Sequence, residues 1–114
     1  MALLAEIPPI EKAHDFLGLT YRQIATAIGA DESTLHRWRS GDNDPSPIFV
    51  RRLETLDELV RETKQTFRGR TAARAWLERP SPSLAERSPM ELLLEGRIER
   101  VGGLLLELNL GVAT

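Results

Sequence analysis

The sequence predicts an all-α protein: a helix-turn-helix bundle followed by a small C-terminal helical domain. Three observations carry that expectation. No stretch of the 114 residues alternates apolar and polar with period two, and β-branched runs are few. Leu, Ala, Glu and Arg, all good helix formers, dominate the composition. Two capping boxes, Thr20 with Gln23 and Ser88 with Glu91, mark helix starts in either half.

The elements follow in order. A first helix is expected from near Pro9, because proline loses nothing in a first turn. It carries Ile10, Ala13, Phe16 and Leu17 on one face and stops at Gly18. Thr20 opens a second helix running to about Ile28, with Gly29 turning the chain. Asp31 is placed as the cap of a third helix that ends near Gly41. Ser46-Pro47 opens the longest helix, with Val50, Leu53, Leu56 or Asp57, and Val60 as its stripe and Phe49 and Leu59 widening it. A hinge is set between Thr66 and Arg70, dividing the chain into domains 1–66 and 67–114. Beyond it come a short helix, Thr71 to Leu77, with Trp76 expected under the Pro80–Leu84 loop, and a helix from Pro89 through Leu94. The last helix carries Ile98, Val101, Leu105 and Leu108 on one face, with Leu104 beside them and Leu106 and Leu110 off the stripe. Leu92, Leu93, Val101, Leu104 and Leu105 are the expected core of this half. Gly102-Gly103 interrupts the last helix at a cost of about 1 kcal/mol per glycine relative to alanine, which points to close helix approach, at an interface for example.

Bulk properties limit the function. There is no cysteine, so disulfides and thiolate metal sites are excluded, and no apolar run is long enough for a membrane span. The N-terminus lacks the basic start and apolar core of a signal peptide, so a cytoplasmic location is expected. His14 and His36 are the only histidines and lie on different helices, with no phosphate-binding loop and no nucleophile held by an orienting acid. Neither catalysis, nor a metal, nor a cofactor is expected. The net charge of −2 is low for a nucleic-acid binder, which draws affinity from neutralising phosphates.

The segment Tyr21 to Ser40 is the most informative. A helix-turn-helix needs a small residue where its helices touch, a residue tolerant of positive φ in the turn, and apolar residues binding the pair. Ala25, Gly29, and Ile24, Ile28, Leu35 and Trp38 meet those needs. The third helix then turns a polar face outward. Ser33, Thr34, His36 and Arg37 reach outward from it, Arg37 in bidentate reach of a guanine and Ser33 and His36 set to meet either bases or phosphates. Arg39 and Arg22 are set to meet phosphates. Between Tyr21 and Arg52 five arginines face four carboxylates, so the local positive excess is one charge. Modest affinity per subunit, and hence a homodimer on operator DNA, is expected.

Ile24-Ala25, Ile28-Gly29-Ala30, Ser33-Thr34-Leu35 and Arg37-Trp38 resemble the Xre family of repressors. Trp76-Leu77, Pro80, Leu84, Ser88-Pro89, Leu92-Leu93, Gly96, Val101, Leu104-Leu105 and Gly111 resemble the toxin-binding domain of Xre/MbcA/ParS-type antitoxins. That resemblance implies a partner toxin of the RES-domain or ParT class, which uses NAD, and an antitoxin that occludes the toxin's active site and represses its own operon. It places toxin contacts at Trp76, Gly96, Arg97, Val101, Leu105, Leu108, Asn109, Gly111, Val112 and Thr114, with Leu108 to Thr114 nearest the toxin site. Two other readings of the residues stay open: a stand-alone repressor whose C-terminal domain only dimerises, and an interaction module with a vestigial helix-turn-helix.

Overall fold

The structure, a computed structural model, describes the backbone of residues 2–111 and side chains from Pro9 to Gly111. Seven helices and one short 3₁₀ turn make up the described residues: α1 (Ala2–Leu17), α2 (Tyr21–Ile28), α3 (Glu32–Ser40), α4 (Pro47–Thr66), α5 (Arg70–Glu78), the 3₁₀ turn Pro82–Leu84, α6 (Pro89–Leu93) and α7 (Ile98–Asn109).

Helix α1 starts upstream of the expected Pro9, at Ala2. Proline's fixed φ is itself helical, so a helix can continue through it at the expense of a backbone donor, and a start at the proline is not obligatory. Ile10, Ala13 and Leu17 are fully buried and pack on α4. Thr20 and Gln23 close the capping box that opens α2, at 3.0 and 2.9 Å. Gly29 ends α2 with φ +81°, and a Cβ there would meet Arg52 Nη1 at 2.5 Å. Arg52 sits there because Nη1 donates to the Ile28 carbonyl at 3.0 Å, covering a group the helix end leaves open. Asp31 holds the N-cap position of α3, but its side chain makes no capping bond, so its expected role is reduced to backbone geometry.

Helix α4 spans the molecule. Leu53, Leu56, Leu59, Val60 and Thr63 are buried along it, with α1 and α2 against it on one side and α7 on the other. The buried side chains form one continuous cluster from Ile10 to Leu105. Arg74 of α5 ties the C-terminal half to α1, donating through Nη1 to the carbonyls of Leu17 (2.8 Å) and Gly18 (2.7 Å). Trp76 is half-buried, with Phe67 as ring partner at 5.5 Å. Ser88 and Glu91 form the second capping box, and α6 stops at Leu93, one residue short of expectation. In α7, Ile98, Val101, Leu104 and Leu105 are buried, but Leu108 is 38% exposed rather than on the core face. The reason is the length of α4. It ends at Thr66, whose hydroxyl donates to Asn109 Oδ1 at 2.7 Å, so the last turn of α7 runs to the edge of its support.

Candidate functional site

Two surfaces carry the residues singled out in the sequence. The first is the helix-turn-helix. Ile24, Ile28 and Leu35 are fully buried, with Ala25 at 2% and Trp38 at 3% exposure, so the pair of helices is bound as the pattern requires. On α3, Ser33 and Arg37 are exposed, and Arg37 Nη2 donates to Thr34 Oγ1 at 3.1 Å. Arg22 is exposed and lies 3.4 Å from Glu32, which also stands 3.4 Å from His36 Nε2. Glu32 thus joins two of the expected DNA-contacting residues and offsets the charge of Arg22.

Arg39 is placed differently from the rest. Its Nε donates to Glu11 Oε2 at 2.6 Å, its Nη2 to the Tyr21 hydroxyl at 3.0 Å, and its guanidinium lies 4.0 Å above the Tyr21 ring. Tyr21 in turn donates to Glu11 Oε1 at 2.8 Å. Burial alone would raise the Glu11 carboxyl, but the hydrogen bonds from Arg39 and Tyr21 outweigh it and hold it below the ordinary carboxylate range. Burial first, then the bond to Glu11, raises the Tyr21 phenol. Arg39 therefore braces α3 against α1 and presents only part of its surface outward. His14 stacks on Tyr21 at 4.2 Å, and His36 meets the ring edge at 5.4 Å. The sequence pattern gave no sign of Glu11 or of the role of Tyr21. Glu11 and Arg39 are 28 residues apart, and no local pattern joins them.

The second surface is the C-terminal half. Val101 and Leu105, expected at the toxin contact, are fully buried in the chain's own core and shape α7 from beneath. Their spacing fits the core stripe, and the core claims them. Arg97, Leu108, Asn109 and Gly111 are exposed, as is Gly96, whose φ of +79° sets the turn into α7. Arg97 lies 3.9 Å from Glu95. Val112 and Thr114 fall outside the described residues. Leu106 (51% exposed), on the opposite side of α7 from Leu108, and Leu110 (71%), just past the helix, add further exposed apolar surface at this end. Leu94, also exposed, lies just beyond α6. Among the described residues no group of three His, Asp or Glu is placed to hold a metal, and no helix is long and apolar enough to cross a membrane. What both surfaces offer is recognition by charge, hydrogen bonding and apolar contact.

The sequence model of the antitoxin Xre/MbcA/ParS C-terminal toxin-binding domain matches residues 63–107, from the end of α4 through most of α7. That segment carries the toxin-binding domain of the Xre/MbcA/ParS antitoxins, and the chain is an antitoxin of a toxin–antitoxin system. The mycobacterial cidal antitoxins MbcA of Mycobacterium tuberculosis and of Mycobacterium bovis are 28% identical to this antitoxin over 103 residues, 90% of either chain. The fold agrees. A chain of the crystal structure of the M. tuberculosis MbcT–MbcA toxin–antitoxin complex superposes with a TM-score of 0.69 at 26% identity, covering 95% of this antitoxin and 96% of that chain. The likeness extends over the residues before the matched domain as well as the domain itself.

Proposed function

We propose that this antitoxin neutralises a cognate NAD-using toxin of the RES or ParT class through its C-terminal half, residues 67–114, and represses its own operon through the helix-turn-helix in residues 1–66. The observation that supports the first part is the grouping of three exposed leucines, Leu106, Leu108 and Leu110, at the end of α7, where the matched domain finishes. Large apolar side chains left in water at one helix end offer surface for a partner to cover. MbcA, its relative, is found in complex with MbcT. Occlusion of the toxin's site by residues 108–114 follows from the family resemblance, as does the toxin class.

The second part rests on the exposed Ser33 and Arg37 at the helix-turn-helix and on Arg22 beside them. With Arg39 engaged by Glu11 and Arg22 shared with Glu32, one subunit has few free cations for phosphate. Operator binding therefore calls for two copies, and a homodimer is part of the proposal.

Pull-down from native extract with the full chain as bait tests the reading. Recovery of one stoichiometric, NAD-consuming protein is the expected result. Recovery of operator DNA with no protein partner would replace it with a stand-alone repressor.

A further inference from the structure

Gly102 and Gly103 lie in mid-helix, where alanine favours helix and glycine weakens it. Nothing in this chain's own packing asks for them: a Cβ built at either position meets no atom within 4 Å. They border a groove of about 450 Å³ between α4 and α7, with Leu59 and Leu106 adding apolar lining. The edges are acidic. Glu58, Glu62 and Glu99 line the groove, and none joins an ion pair among the described residues. Arg61, the cation at the edge, is engaged by Asp57 at 3.0 Å.

We propose that this groove receives a basic amphipathic helix of the cognate toxin, its small or apolar face on the glycine pair and its lysines or arginines against Glu58, Glu62 and Glu99. The inference rests on the toxin-binding reading and goes beyond it by naming the surface and the chemistry of the segment it takes. A glycine pair lets a second helix approach more closely than any side chain would allow. Unpaired carboxylates along an apolar seam favour a cationic partner and steer its approach. The same carboxylates disfavour a second copy of this chain, since a two-fold contact brings the acidic edge against itself while Arg61, the cation of the lining, is engaged by Asp57.

The test uses the full chain and the toxin recovered by pull-down, with affinity measured by titration calorimetry for wild type, Gly103→Leu, Glu62→Lys and the control Asp15→Lys on exposed α1. Gly103→Leu fills the groove while favouring helix, so the variant's thermal midpoint should match or exceed wild type. The expected result is at least about tenfold weaker toxin binding for Gly103→Leu and Glu62→Lys, and little change for Asp15→Lys. Wild-type affinity in both groove variants would overturn the groove while leaving the antitoxin reading intact. A wild-type chain that binds no toxin would remove both. Conversion of a free dimer to monomer by Gly103→Leu, with toxin binding unchanged, would make the groove a self-contact and overturn the proposal.

Discussion

Arg39 Nε lies 2.6 Å from Glu11 Oε2, across 28 residues of sequence, and the contact fixes helix α3 against α1. It makes an arginine of the second helix of the helix-turn-helix a brace for that helix. Function and stability at the helix-turn-helix are thereby separable by residue.

Arg39→Ala is expected to destabilise the protein. The side chains of Arg39 and Glu11 keep 29% and 36% of their surface in water, so solvent screening holds the expected cost to about 1 kcal/mol despite the short bond. Urea denaturation measures it. The pH dependence has a definite sign. The Glu11 carboxyl is lowered in the folded state from its ordinary 4.5. Its stabilising contribution is therefore complete above that value and fades as pH falls through the lowered one. The stability gap between wild type and Glu11→Gln should close on that acid side, and a gap that widens there would contradict the assignment.

Arg37→Ala should leave the urea midpoint unchanged, because Arg37 is exposed and its partner is the neighbouring Thr34 hydroxyl. Operator binding should weaken by about 1–3 kcal/mol if Arg37 reads a guanine. Glu32→Gln should do the reverse and strengthen binding. It frees Arg22 and removes a carboxylate from the groove-facing end of α3. Fluorescence anisotropy over a salt series reads both, and a Glu32→Gln variant that binds more weakly would show that Glu32 contacts a base.

The same substitution at two glycines should have opposite signs. Gly29→Ala forces alanine to φ +81° and its Cβ against Arg52, so a loss of about 1–2 kcal/mol or more is expected. Gly102→Ala enters open space inside a helix and should gain roughly 0.5–1 kcal/mol. Thermal melts of the two variants decide this.

Deleting residues 109–114 should weaken toxin neutralisation and leave the helix-turn-helix folded. The Thr66–Asn109 contact is lost, but Leu110 is 71% exposed and contributes little to the core. Circular dichroism checks the fold, and growth of cells carrying the toxin checks neutralisation. Full protection by the truncated chain would rule out occlusion by the terminal segment.

What was legible in the sequence was local. The capping boxes at Thr20 and Ser88, the glycine turn at Gly29 and the apolar spacing of α2, α3 and α7 are short-range rules, and the structure follows them. The misreadings came where tertiary packing decides. Leu108 continues the stripe of Val101 and Leu105, yet lies 38% exposed, because the supporting α4 ends at Thr66. Val101 and Leu105 fit both a core and a contact pattern, and periodicity alone does not separate the two. Arg39 reads as a phosphate contact until Glu11 and Tyr21 are brought beside it.

The central claim is that the chain neutralises an NAD-using toxin, and the most direct measurement is cellular NAD. Cells expressing the captured toxin alone should lose NAD, and co-expression of the wild-type chain should preserve it. NAD that stays level with the toxin alone, or that falls equally with the chain present, would contradict the account.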